Sequence, residues 1–362
     1  MKILKYIFLL LLIVIVIGAI YLATLDGKYD VKRSRLIKAE PELVFNELND
    51  YKNWEDWGPW FEADSTIAVD YPENTIGEGA SYSWKSKDGD GMMRTLKVDK
   101  PNSLDQEVVF ETPFGDMKTD VYWILEKVEE GTNLTWGMKG EIDFINRWMV
   151  NKMEKSIGQE EERGLELLDE HIQKEIKIYS IDFNGVIEYG GGYYLYTTTS
   201  SKIDEIEAKY PVLLLKMYGF VKNNNIRTTS GPFTLYHKYD EENGTTMFSV
   251  CYPVTEKIIT PRGSDVLSGF MESGKYFKTT LNGSYENSDE AWEKAMDEAQ
   301  NLEDYKMIET GEPFEVYVNN PHEIPNPADL ITEIYIPVKK NIRLPPAPEP
   351  APLVEEDTIK NE

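Results

Sequence analysis

Glu333 is the residue whose surroundings best suit a specific chemistry. It stands in the run Ala328-Asp329-Leu330-Ile331-Thr332-Glu333-Ile334-Tyr335-Ile336-Pro337-Val338. As a strand of period two, this run puts Glu333 and Tyr335 on one face and Ile334, Ile336 and Val338 on the other. A carboxylate beside aromatic rings suits a delocalised organic cation, by charge pairing and by contact of the cation with a ring face. An unpaired carboxylate among apolar groups is costly, which favours a cationic partner there. Tyr317 and Trp292 are the supporting rings. Two other fates stay open for Glu333: a solvated strand residue, or an ion pair with a nearby lysine. The same residues also allow a catalytic alternative. Glu333 would be the general base and Tyr335 or Tyr317 the acid of a hydrolase or cyclase acting on a hydrophobic small molecule.

Other chemistries find little support. Cys251 is the one cysteine, so an internal disulfide, a CxxC pair and a cysteine-rich zinc site are excluded. His171, His237 and His322 are far apart and none lies in an HExxH pattern. No metal and no cofactor is expected. His237, Ser249 and Asp240 have the residue types of a triad, but nothing in the sequence fixes their mutual geometry. Gly190-Gly191-Gly192 lacks the spacing and the following helix of a phosphate cradle and reads as a hairpin turn. With 38 Lys and Arg against 64 Asp and Glu, the net charge of -26 repels phosphate backbones, so no nucleic-acid partner is expected.

The elements that position Glu333 form a near-repeat. Gly231-Pro232-Phe233-Thr234-Leu235-Tyr236 leads through a polar turn to a strand ending Tyr252-Pro253-Val254. Glu312-Pro313-Phe314-Glu315-Val316-Tyr317 leads likewise to a strand ending Ile336-Pro337-Val338. Each pair follows a strand and a helix: Tyr193–Thr199 with Lys202–Lys222, then Lys275–Leu281 with Asn287–Gln300. In the second helix Ala291, Trp292, Ala295, Met296 and Ala299 form one apolar face. This two-fold β-α-β-β pattern, with Leu281-Asn282-Gly283-Ser284-Tyr285-Glu286-Asn287, Ala291-Trp292 and the run Ala328–Val338, resembles the GyrI-like effector-binding domain. The resemblance implies a groove between the two halves that takes amphipathic, often cationic, aromatic compounds, with a groove glutamate at Glu333. Ser249 holds the corresponding place in the first copy, so the site would be one-sided. A few members resemble hydrolases of reactive alkylating compounds.

Upstream, Val31–Ile37 alternates as a strand, and Pro41 suits the first turn of a helix carrying Leu43, Val44, Phe45 and Leu48. The aromatic segment Trp54–Trp60 follows. Strand-like runs then extend from Thr66 to Lys139 with glycine-bearing turns between them. A long helix is expected over about 145–174, with Trp148, Met149, Met153, Ile157, Leu165, Leu168 and Ile172 on its apolar side and Glu160–Arg163 on a wet side. The order, together with Arg33–Phe45, Trp54–Trp60 and Gly77–Tyr82, resembles the SRPBCC superfamily (START-like, polyketide cyclase/Bet v 1-like). That family implies a curved sheet wrapping the last helix around an apolar cavity for lipid-like or aromatic ligands. Trp54, Trp57, Trp60, Tyr82, Trp84, Trp123, Trp136 and Trp148 either line such a cavity or fill a core.

Tyr6–Leu25 carries no charge and matches the ~30 Å hydrocarbon core of a bilayer. It is longer than the apolar stretch of a cleaved leader and lacks a clear cleavage site, which favours an uncleaved anchor. Basic residues flank it on both sides, so both orientations stay open. The proline-rich and acidic end from 341 to 362 has no apolar period and reads as disordered. The expected α+β organisation is therefore an anchor and linker over 1–30, a START-like helix-grip domain over 31–175, a GyrI-like domain over 176–340, and a tail. The function expected is that of a single-pass protein of a bacterial inner membrane, with the bilayer as partner through residues 6–25. It would sense or sequester amphipathic, cationic aromatic compounds.

Overall fold

The computed structural model describes residues 2–341 apart from 88, 113–114 and 241. The expected disordered tail lies, from 342 on, outside the described residues. Two compact units divide the described chain, one with residues 2–179 and 321–329, the other with 180–320 and 330–341.

The first unit opens with α1 (Lys2–Thr24), in which the stretch Ile3–Thr24 contains an 18-residue window of mean hydropathy 3.0 and is long and apolar enough to cross a membrane. Then come β1 (Lys28–Ile37), α2 (Pro41–Asn49), α3 (Pro59–Ala63), β2 (Ala68–Asp70), β3 (Ser81–Lys85), β4 (Gly91–Asp99), β5 (Ser103–Phe110), β6 (Met117–Val128), β7 (Gly131–Glu141) and α4 (Val150–Glu175). Pro41 and Pro59 each occupy a first helical turn, where the missing N–H costs nothing. The seven strands form one antiparallel sheet in the order β1-β7-β6-β5-β4-β3-β2. β1 and β7 pair along their whole length, from Lys28 opposite Glu141 to Ile37 opposite Thr132.

The core of this unit is aromatic. Trp54, Trp57, Trp123 and Trp136 are buried and meet ring to ring, with centroids 5.1 Å apart for Trp54–Trp57, 5.9 Å for Trp54–Trp123 and 4.5 Å for the stacked Trp123–Trp136. Their buried polar atoms are in part tied down: Trp54 Nε1 donates to the Leu48 carbonyl and Trp123 Nε1 to Gln106 Oε1. These rings form the core they were one candidate for. Trp148 departs from the expectation and stands exposed, in a 3₁₀ turn over Phe144–Met149 that delays the long helix to Val150. The expected wet side of that helix also needs correction at Glu161. This residue is 1 % exposed, on the same stripe as Gly158, Gly164, Leu165, Leu168 and Ile172.

In the second unit β8 (Ser180–Tyr189) and β9 (Gly192–Lys202) precede α5 (Ile206–Asn223). β10 (Phe233–Asp240), β11 (Thr245–Val254), β12 (Leu267–Met271) and β13 (Gly274–Asn282) follow, then α6 (Ser288–Gln300), β14 (Tyr305–Met307), β15 (Phe314–Tyr317) and β16 (Ile331–Lys340). The sheet runs β12-β9-β11-β10-β15-β16-β13-β8, with β14 on β16. Its middle reads symmetrically, β9-β11-β10 meeting β15-β16-β13, so the near-repeat in sequence becomes a two-fold arrangement about the antiparallel β10–β15 pair. α5 packs on β9 and β11, and α6 on β13 and β16. Ile334, Ile336 and Val338 join Ala291, Ala295 and Ala299 under α6, so this face of β16 looks toward the helices.

Candidate functional site around Glu315

Register decides which side chains meet under the helices. Glu315 on β15 lies opposite Thr234 on β10 and Ile334 on β16, so it shares the helix-covered face with Ile334. It is 5 % exposed. Three neutral donors hold its carboxylate. Oε1 accepts from Tyr317 Oη at 2.6 Å and Tyr236 Oη at 2.8 Å, and Oε2 accepts from Trp292 Nε1 at 2.8 Å. None of the ion pairs among the described residues includes Glu315, and Lys278 on β13 pairs with Glu333 instead. Tyr317 and Tyr236 come from equivalent positions of the two repeats, and Thr234 is the repeat counterpart of Glu315 itself. The two-fold frame therefore supplies a pair of phenols to a single acid.

Further rings complete the surroundings. Tyr210 of α5 packs 5.3 Å from Tyr317, Tyr285 of the turn before α6 packs 5.5 Å from Tyr317, and Trp292 of α6 stands edge-on to Tyr236 at 5.4 Å. Burial first, and the Glu315 charge second, raise the phenol pKa values of Tyr210, Tyr236 and Tyr317 well above the ordinary value, and push Tyr285 up to about 12. The phenols thus stay protonated at neutral pH and act as donors. None of these donors brings a positive charge to the carboxylate, and the rings around it are half-buried.

Both units match known families. Residues 28–173 match the family described as polyketide cyclase / dehydrase and lipid transport, and residues 216–338 match the one described as integron-associated effector binding protein. The SRPBCC-like and GyrI-like resemblances are thus borne out, and the families are ones of small-molecule and effector binding. Among solved structures, the EcmrR C-terminal domain is 16% identical over 45% of this chain and 99% of that chain, with a TM-score of 0.39. A Mesorhizobium loti protein is 19% identical over 39% of this chain and 98% of its own, at a TM-score of 0.30. A Chromobacterium violaceum protein is 15% identical over 39% and 95%, at 0.32. No curated protein matches the chain.

The structure separates the four residues singled out in the sequence. Tyr317 and Trp292 belong to the Glu315 site. Glu333 and Tyr335 lie on the opposite face of the sheet. The expectation of an unpaired acid at Glu333 is corrected: Lys278, its neighbour across β13–β16, donates to Glu333 Oε1 at 2.7 Å, and Tyr335 Oη donates to Oε2 at 2.5 Å. The Lys278 ammonium also lies 5.8 Å from the Tyr335 ring centroid, and Tyr335 stacks on Phe314 at 4.6 Å. The cation that Glu333 attracts is thus internal.

His237 takes part in a second polar chain. Its Nε2 lies 2.6 Å from Ser249 Oγ and its Nδ1 lies 2.8 Å from Glu312 Oε1, so Glu312 rather than Asp240 is the acid beside it. Ser249 is fully buried and also bonds Thr198 Oγ1 at 2.7 Å. A nucleophile needs an open approach, so this chain ties β9, β10 and β11 together instead.

Proposed function

We propose that this chain is a membrane-anchored binding protein whose second unit takes a lipophilic aromatic cation against Glu315. The observation that carries this reading is the buried carboxylate held by two phenols and an indole, with no ion pair of its own among the described residues. Burying such a charge is costly unless a partner offsets it, and a delocalised cation does so by charge pairing and ring contact together. The match to an effector-binding family over 216–338 supports it, since that span holds Tyr236, Tyr285, Trp292, Glu315 and Tyr317. The apolar α1 supports anchoring, and an amphipathic ligand that partitions into lipid is concentrated where such an anchor would hold the protein.

The test is a titration of the full-length protein in nanodiscs with tetraphenylphosphonium, against empty discs. Glu315→Gln is expected to weaken binding tenfold or more, equal to about 1.4 kcal/mol, and Glu333→Gln to leave it unchanged. Equal binding by the wild type and Glu315→Gln defeats the reading.

A further inference from the structure

The turn between β7 and α4 exposes three large apolar side chains. Phe144 is 46 %, Ile145 70 % and Trp148 60 % exposed. In a 3₁₀ turn residues three apart align, so Ile145 and Trp148 share one side of the Phe144–Met149 turn, and Phe144 lies on the adjacent side with Arg147. The turn is fastened to the chain leaving α1. Arg147 Nη1 donates to the Leu25 carbonyl at 3.2 Å, and the Ile142 amide donates to the Gly27 carbonyl at 2.9 Å. The approach is close enough that a β-carbon at Gly27 would come within 2.9 Å of Arg147 Nε and of the Ile142 carbonyl oxygen. Arg147 in turn covers the Phe144 ring, 5.3 Å from its centroid.

A helix of 23 residues is about 34 Å long, which spans a hydrocarbon core and leaves Leu25 at its boundary. The bond from Arg147 to Leu25 then holds Phe144, Ile145 and Trp148 at headgroup depth, where aromatic and apolar side chains are favoured. We propose that these three side chains insert into the interface of the bilayer that α1 crosses and seat the first unit against the lipid surface. The proposal rests on reading α1 as a membrane span, and it concerns a different surface from the Glu315 site.

The test places nitroxide labels in the full-length protein reconstituted into phosphatidylcholine vesicles. Cys251 is buried and stays out of the labelling reaction. Single cysteines are introduced at Ile13 for the span, at Ile145 for the turn, and at Glu130, which lies beyond the far end of the β1–β7 ladder, for water. Accessibility to oxygen is read relative to a water-soluble nickel chelate. The proposal expects a ratio severalfold higher at 145 than at 130, approaching that at 13. A lipid-like ratio at 13 with a water-like ratio at 145 overturns the insertion and leaves the span intact. A water-like ratio at 13 overturns the span and the insertion with it.

Discussion

Glu315 and Glu333 lie on neighbouring strands, one residue out of register and on opposite faces of one sheet, and they are kept in the fold by different means. Glu333 has a lysine of its own. Among the described residues, the donors to Glu315 are all neutral. The difference is one of completeness: an ion pair closed within the chain asks nothing of a ligand, whereas a charge held by phenols and an indole is structurally satisfied and still uncompensated. Glu161 in the first unit is a third case. Both of its oxygens are buried without a hydrogen-bond partner among the described residues, and burial pushes its pKa up to about 8, against the opposing pull of Arg33.

The comparison can be broken at several points. Glu161→Gln has the largest expected effect and tests the unpaired case through pH. A folded-state pKa raised from 4.5 to about 8 means that the folded chain holds an extra proton between those values. Stability from this group is therefore fully present below about pH 4.5 and is lost as pH rises toward 8. The glutamine variant is expected to gain on the order of 4 kcal/mol over the wild type at pH 8 and less than ~1 kcal/mol at pH 5. Tryptophan fluorescence follows the transition, since seven of the eight tryptophans lie in the first unit. A pH-independent gain would mean that the carboxyl does not titrate in that window.

Removing Lys278 comes next. Lys278→Met strands the Glu333 charge and is expected to destabilise the second unit by on the order of 3 kcal/mol, read by calorimetry. Adding Glu333→Leu should recover most of that loss, and cation affinity should follow neither change. Full stability in the single variant would show that Glu333 does not need its lysine.

The smallest effects concern the donors to Glu315. Tyr236→Phe removes the bond to Glu315 and is expected to cost about 1 kcal/mol of stability, and Tyr317→Phe removes both its bond to Glu315 and its bond with Thr234 Oγ1 at 3.3 Å and is expected to cost somewhat more. The repeat symmetry predicts that the two losses in urea melts differ by no more than the Thr234 bond. A large disparity would mean that the two-fold frame does not extend to the site.

Much of the fold was legible in local pattern. The proline-started helices, the alternation of β1 and the two Pro-Phe-x-x-Tyr copies all reflect interactions within a few residues, and the structure realises them. Glu315 was harder to see because its role depends on long-range pairing. Within Pro313-Phe314-Glu315-Val316-Tyr317 nothing says which face the helices will cover. A signal was nonetheless present in β16. Ile334, Ile336 and Val338 are the face a helix would cover, which puts Glu333 on the other side. The repeat adds that Tyr236 and Tyr317 are equivalent and that Glu315 replaces Thr234. Lys278 could pair with Glu333 only through the β13–β16 register, and Glu161 looked solvated because it sits in a run of charged residues.

The seat of α4 on the first unit's sheet depends on absent side chains. At Gly164 a β-carbon would stand 2.5 Å from the Trp136 ring, and at Gly158 it would collide with the Arg33 guanidinium. The rod fits flush at Gly164, while a hollow opens beside its middle among Arg33, Arg35, Glu162 and Glu166. Even an alanine at position 164 would act as a wedge against Trp136 and Pro59, at a seam that the Arg33–Glu162 and Arg35–Asp169 pairs also fasten.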